Sequence, residues 1–154
     1  MKHLKLQLIS FLIAFVMTSC VSTKTALYDL YSHQKTTALK VPITALMSKA
    51  NTPYAMHKEE VETVLLDIEK LAEYEKNKPH NEITFAMWKL LTDKEKNLLT
   101  GFFKHWETKG VLSQGFIEES KKQLSDALDL LIQYEIKKDK ESKDALLDLI
   151  NGKT

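Results

Sequence analysis

The sequence contains one cysteine, four glycines, three prolines and no arginine in 154 residues. A single cysteine cannot form a disulfide within the chain, so packing must stabilise the fold. The scarcity of glycine and proline, beside abundant lysine, glutamate, leucine and alanine, favours helix over sheet. The absence of arginine removes the planar side chain that is best suited to bidentate contacts with phosphate and carboxylate groups.

The sequence also lacks an excess of positive or of negative charge. All 22 basic residues are lysines, and they stand against 21 acidic residues. A protein that binds nucleic acid usually carries a basic face or stripe, and a near-neutral balance gives no such indication. We therefore predict no nucleic-acid partner.

Motifs of catalytic and metal sites are sparse as well. The sequence has no GxSxG, no HExxH and no CxxCH, which are signatures of hydrolases, zinc proteases and haem attachment. His57 and Glu60 lie three residues apart and could share a metal, but solvated or capping histidines are the default interpretation. We predict a protein that is not an enzyme and has no metal and no cofactor, with carboxylate-based glycosidic chemistry as the weaker alternative.

The first twenty residues are typical of a secretory signal. Lys2, His3 and Lys5 form a basic start, and residues 6–17 are an almost unbroken apolar run of twelve residues. A basic start, a short apolar segment and small residues before a cleavage point define a signal peptide. As a helix the run would be about 18 Å long, against about 30 Å for the hydrocarbon core of a bilayer, so it is too short for a comfortable permanent span.

The tetrapeptide Met17-Thr18-Ser19-Cys20 resembles the lipobox of bacterial lipoproteins. The resemblance covers residues 1–20 only, and Met17 stands where leucine is commonest. It implies that a diacylglycerol is attached to the Cys20 thiol and that signal peptidase II cuts between Ser19 and Cys20. Two or three acyl chains then make a stable anchor. An ordinary secreted protein with an incidental cysteine, or a short membrane anchor, is the alternative.

The leader also predicts the domain organisation and the location. Residues 1–19 would be the signal peptide, residues 20–24 a short lipidated tether, and residues 25–152 one domain. Val21 and Ser22 follow the cysteine, and an aspartate, which would indicate retention in the inner membrane, is absent there. The resemblance therefore implies a bacterial envelope protein, lipid-anchored in the outer membrane and facing the periplasm.

Helical periodicity runs through the remaining chain, and no segment alternates with period two over a useful length. Breakers and caps mark the boundaries: Pro42 suits a first helical turn, residues 92–95 read as a capping box, Gly110 is a stop, and Asn81 and Ser113 are caps. The sequence predicts an all-α, irregular helical bundle of five to seven helices. These helices are expected over residues 23–40, 42–49, 53–78, 81–91, 92–109, 113–138 and 143–151.

All phenylalanines and tryptophans after the leader fall between residues 85 and 116. The first interpretation is that they form the densest part of the core. The alternative exposes part of the cluster, at Phe103 or Trp106, as a patch for a partner. Adjacent positions such as Phe102 and Phe103 cannot point the same way on a helix, and Gly101 beside them indicates a close helix crossing.

The function predicted from the sequence is that of a non-enzymatic, lipid-anchored adaptor or scaffold. Its partners would be the membrane, through the lipid anchor, and another envelope protein or peptidoglycan. An exclusion or inhibitor lipoprotein that blocks phage, conjugation or a toxin is the main alternative, and an enzyme that acts on the cell wall is a weaker one.

Overall fold

The computed structural model describes residues 25–96 and 98–152. These residues form six α-helices and one short 3₁₀ turn, with no strand among them, so the prediction of an all-α bundle of five to seven helices is confirmed. The turn is Tyr54–Met56. The helices are α1 (Leu30–Met47), α2 (Lys58–Asn77), α3 (Glu82–Leu91), α4 (Leu99–Lys109), α5 (Gln114–Lys137) and α6 (Lys140–Ile150).

α1 packs against both α2 and α5, and both run antiparallel to it. Ser32 near the start of α1 contacts Glu75 near the end of α2, whereas Lys49 just after α1 contacts Glu60 near the start of α2. The same relation between α1 and α5 is seen in the pairs Asp29–Glu135 and Ser48–Lys121. We call the end at which α1 begins and α2 and α5 end the network end, and the opposite one the far end.

The core is one cluster of apolar side chains to which all six helices contribute. α3 and α6 complete the bundle, α3 packing on α2 and α6, and α6 packing on α5. Burial of each large aliphatic or aromatic side chain contributes roughly 1.5–3 kcal/mol, which makes this cluster the main source of stability. On α5, apolar residues and one tyrosine at helical spacing form the inner stripe, and all of them are buried: Ile117, Leu124, Ala127, Leu128, Leu131 and Tyr134.

The first helix differs from its prediction. The sequence predicts two helices, over residues 23–40 and 42–49, but the structure has one, Leu30–Met47, with Pro42 inside it. The helix begins at Leu30 because the Asp29 side chain accepts hydrogen bonds from the backbone N–H groups of Tyr31 and Ser32. Pro42 is tolerated because its own side chain is exposed, while Leu39 and Ile43 on either side of it are buried in the core.

α4 and α6 also begin elsewhere than predicted. The expected capping box at residues 92–95 does not open α4, which begins at Leu99. Asp93 instead accepts a hydrogen bond from the N–H of Glu95, two residues on, which forms a local turn. α6 begins at Lys140 rather than at residue 143, because Asp139 caps it by accepting from the N–H of Ser142. The predicted stop at Gly110 is confirmed, with φ of 77°.

Candidate functional site

Two of the predicted site residues, Ser19 and Cys20, lie outside the described residues. The other two, Phe103 and Trp106, are buried in the core. The indole N–H of Trp106 donates to the backbone carbonyl of Thr52 at 3.0 Å, and the Tyr54 ring meets the indole edge-on at 5.5 Å. The core interpretation of these rings is therefore confirmed, and the alternative of an exposed patch at Phe103 or Trp106 is wrong because other side chains cover both.

The histidine–glutamate pair considered as a metal site is engaged in other contacts. The two ring nitrogens of His57 lie 3.1 Å from a carboxylate oxygen of Glu60 and 2.9 Å from the Thr52 hydroxyl. Lys49 also donates to Glu60, at 2.6 Å. Within residues 25–96 and 98–152, no three His, Cys, Asp or Glu side chains converge as a metal site would require. This cluster joins α2 to the segment after α1.

A buried polar network occupies the network end of the bundle, and Glu75 is its innermost member. This carboxylate is fully buried and accepts hydrogen bonds from the Ser32 hydroxyl and, at 2.6 Å, from the side-chain amide of Asn81. Burial raises the pKa of Glu75, against the opposing effect of those two hydrogen bonds and of the Lys78 charge. Asn81 therefore does not cap α3 with its side chain as predicted, because it is turned toward Glu75.

The second carboxylate of the network, Glu135, joins three parts of the chain. It accepts hydrogen bonds from the N–H of Asp29 at 2.8 Å, from Lys78 at 3.2 Å and from Lys138 at 2.6 Å. Burial lowers the pKa of Lys138, although its bond to Glu135 opposes that shift. Because these charged groups are shielded from water and hydrogen-bonded to one another, the network should resist separation of α1, α2 and α5.

The outer edge of the network is formed by Asp29 and Tyr74. The Tyr74 hydroxyl donates to the Asp29 carboxylate at 2.7 Å, and this bond, with burial and the Asp29 charge, raises the pKa of Tyr74 to about 12. Partial burial would raise the pKa of Asp29. The hydrogen bond from Tyr74 and the charge of Lys78, 3.3 Å away, outweigh that effect and lower it.

Ser32 and Lys35 have the Ser-x-x-Lys spacing of some serine acyltransferases and hydrolases, but the structure does not pair them. Ser32 is buried and donates its hydroxyl proton to Glu75, while Lys35 is exposed, with its ammonium 5.7 Å from the centre of the Tyr31 ring. The ammonium closest to the Ser32 oxygen is that of Lys78, at 3.2 Å, and it donates to that oxygen. A serine that is covered and already donates its proton is not arranged as a nucleophile.

The sequence motifs considered above do not predict this network, although the helical periodicity contains one signal for it. Glu75 continues the apolar stripe of α2, since it stands four residues after Leu71 and seven after Ile68. Glu135 likewise stands four residues after Leu131 on α5. An acidic residue in register with a buried stripe indicates a buried carboxylate that needs partners.

Two further surface features lie along α1. A shallow groove runs between α1 and α2 toward the far end, lined by Pro42, Ala45, Leu46, Lys49, Glu59 and Val64. At the network end, five large side chains that are apolar or aromatic are exposed close to the start of α1. They are Leu27, Tyr28, Leu30, Tyr31 and Tyr74, and we call this set the rim.

Comparison of the chain with protein-family models, with curated proteins and with solved structures finds no match. Within the part of the chain that the structure describes, no helix combines the length and the apolar character needed to cross a membrane.

Proposed function

We propose that this protein is a lipid-anchored, non-enzymatic protein of the bacterial envelope that acts by binding another envelope protein or the cell wall. The observation that carries the proposal is the sequence Met17-Thr18-Ser19-Cys20 directly after a basic start and a short apolar run. In the proposed mature form, acyl chains on Cys20 hold the protein at the outer membrane, and the helical domain faces the periplasm.

The chemistry of the described residues supports a binding role over a catalytic one. The two carboxylates at the centre of the network, Glu75 and Glu135, are buried and hydrogen-bonded within the bundle, so they face no substrate. General acid–base catalysis requires a titratable group within hydrogen-bond reach of the reacting atom. The network is better suited to fixing three helices in one arrangement.

The first test concerns the anchor. Cys20→Ser removes the thiol that would carry the diacylglycerol, so we expect loss of lipid from the purified protein and loss of the protein from the membrane fraction. Mass spectrometry of the amino-terminal peptide and fractionation of cells measure the two effects. Ser22→Ala is the matched control, because it changes a hydroxyl two residues away and should leave both unchanged. A free Cys20 thiol in the mature wild-type protein would refute the proposal.

The second test concerns the partner. A photo-crosslinking residue at Val41 on α1 or at Leu66 on α2 would report contacts made in intact cells, because both side chains are apolar and exposed. The same residue at Lys122, an exposed position on α5, is the control. One dominant adduct from the apolar positions, lost with Cys20→Ser, would support an adaptor. Recovery of wall fragments instead would indicate that peptidoglycan is the partner.

The alternatives make different predictions. An exclusion or inhibitor lipoprotein predicts that a deletion leaves envelope integrity unchanged and makes cells sensitive to phage, conjugation or a toxin. A wall-acting enzyme predicts that purified protein releases fragments from peptidoglycan, and that single carboxylate substitutions abolish this release. Peptidoglycan that stays intact with purified, folded protein would exclude the enzymatic alternative.

A further inference from the structure

We propose that the rim is a membrane-contact surface that rests in the headgroup region of the bilayer and sets the orientation of the bundle. This inference rests on the proposed function, since it takes the anchor at Cys20 as given. It adds a second contact with the lipid surface, made by side chains of the folded domain.

The composition of the rim suits a bilayer interface. Leu27 and Leu30 are 86% and 56% exposed, and the rings of Tyr28, Tyr31 and Tyr74 are 49%, 44% and 40% exposed. Transfer of a leucine side chain out of water lowers the free energy. Tyrosine is enriched at membrane interfaces because its ring is apolar and its hydroxyl is polar. The rim thus presents two aliphatic and three amphipathic side chains at one end of the bundle.

The rim is held in place by the network. The N–H of Ala26 donates to the carbonyl of His80 at 2.9 Å, and the N–H of Asp29 donates to Glu135 at 2.8 Å, so hydrogen bonds fix both sides of Leu27. The rings of Tyr31 and Tyr74 lie 4.6 Å apart between centres. A contact surface that is ordered before binding loses little conformational entropy when it binds.

The length of chain between Cys20 and the rim identifies the bilayer as its occupant. Five residues separate Cys20 from Ala26, the first residue that the bundle buries, and the six Cα-to-Cα steps between them span at most about 22 Å in any conformation. The rim is therefore always close to the surface in which the acyl chains are embedded. A short tether of this kind makes the local concentration of lipid surface very high, so that even a weak contact is populated.

Another exposed apolar side chain, Met56, lies at the far end, where the 3₁₀ turn precedes α2. α1 separates the two ends by about 27 Å, given its 18 residues. Contact through the rim would therefore direct the far end and the groove between α1 and α2 away from the bilayer, toward a partner in the periplasm. The acyl chains supply the affinity, and the rim supplies the orientation.

The test compares two labelled variants of the full chain, Leu27→Cys and Met56→Cys. Each is purified from membranes, labelled on the new thiol with an environment-sensitive nitrobenzoxadiazole dye, and reconstituted into vesicles of phosphatidylethanolamine and phosphatidylglycerol. Brominated phosphatidylcholine is the quencher. Both replaced side chains are well exposed, so both variants should fold, which far-UV circular dichroism would verify. Acylated Cys20 cannot react with the dye, and the unsubstituted protein is the labelling control.

We expect a blue shift and lipid-dependent quenching for the label at residue 27, with water-like emission and little quenching for the label at residue 56. Mass spectrometry establishes whether Cys20 carries lipid. If it does, equal quenching of both labels, or water-like emission of both, would overturn the inference about the rim and leave the proposed anchor in place. A mature protein without lipid on Cys20 would refute the proposed function, and this inference would fall with it.

Discussion

At the scale of single residues, the most consequential side chain is a buried carboxylate that no sequence motif marks. Glu75 lies in register with the apolar stripe of α2 and is fully buried. Its hydrogen bonds from Ser32 and Asn81 compensate in part for the loss of water around the carboxylate. Periodicity could indicate that this position is buried, but it could not identify partners that come from α1 and from the turn before α3, because those contacts depend on the tertiary fold.

Glu75→Gln should change the pH dependence of stability. Burial raises the pKa of Glu75 above its ordinary value of 4.5, so the folded state binds this proton more tightly than the unfolded chain does. The stability linked to Glu75 is thus fully present below pH 4.5 and is lost as the pH rises through the raised pKa. Relative to wild type, Glu75→Gln should become progressively more stable over that window in urea unfolding measured at a series of pH values.

Glu73→Gln is the control for this prediction, because it removes a carboxylate two residues away, on the exposed face of the same helix. Hydrogen bonds from Asn77 and Lys76 lower the pKa of Glu73, so its contribution is present above pH 4.5 and is lost as the pH falls through the lowered pKa. The difference in stability between Glu73→Gln and wild type should therefore change with pH in the direction opposite to that of Glu75→Gln. It should also change over a lower pH range. Parallel pH profiles for the two variants would contradict our account of Glu75.

Gly101→Ala should be strongly destabilising. A Cβ atom at this position would lie 1.6 Å from the backbone carbonyl oxygen of Lys96, so the segment before α4 would have to move. Overpacking of this kind costs about 1–3 kcal/mol or more. Gly115→Ala is the matched control, because a Cβ there meets no atom within 4 Å and alanine in a helix gains up to about 1 kcal/mol over glycine. Thermal and urea unfolding of both variants would measure the difference.

At the scale of elements, Pro42 shows how tertiary packing overrides a local signal. Proline lacks the N–H that would donate to the carbonyl of Ala38, and in a helix interior it costs about 3 kcal/mol. α1 nevertheless continues to Met47, because its inner face packs between α2 and α5. A rule that reads proline as a helix start therefore divides this element in two.

Pro42→Ala should accordingly raise the free energy of unfolding, by up to about 3 kcal/mol, since it restores a backbone donor inside α1. Pro53→Ala is the control. Pro53 has φ of −58° in front of the 3₁₀ turn, where proline restricts the unfolded chain at no cost to the fold, so its loss should destabilise by about 0.4–1 kcal/mol. Destabilisation by Pro42→Ala would show that the proline ring itself makes an essential contact.

Much of the fold was predictable from the sequence because amphipathic stripes are intrinsic to the chain. Both ends of α5 lie within one residue of their prediction, and the Ser113 side chain caps it as expected, accepting from the N–H of Phe116. The end of α2 is also close to its prediction, but α2 begins at Lys58 rather than at residue 53, because a 3₁₀ turn precedes it. The start of α4 was not predictable, because residues 92–95 carry a capping pattern that the structure uses for a turn. In the candidate site, the leader stays a prediction from the sequence, whereas the network and the rim depend on contacts that form only when the helix ends meet.

At the scale of the whole molecule, the described residues should unfold as one cooperative unit. Trp106 at the far end and Glu135 at the network end share no partner, and they are separated by roughly the 27 Å length of α1. Trp106→Phe should cost about 1–3 kcal/mol through the lost bond to Thr52. Glu135→Gln should cost about 3 kcal/mol, because Lys78 and Lys138 lose their shared counter-charge.

The double variant should show the sum of these two losses within about 0.5 kcal/mol, with an unchanged slope in urea. Fluorescence and circular dichroism should report the same transition. Two transitions, or a strongly non-additive sum, would indicate that the two ends of the bundle do not unfold together in the way that one contiguous core requires.

The two hydrogen bonds that flank Leu27 also determine how the domain would bear a mechanical load applied through its amino-terminal side. Force entering before Thr25 reaches the Ala26–His80 and Asp29–Glu135 bonds first. Because Glu135 is held in turn by Lys78 and Lys138, the strain is shared at once among the ends of α1, α2 and α5. α1 therefore cannot be peeled away turn by turn, and the bundle should withstand pulling from this side until several charged contacts rupture together.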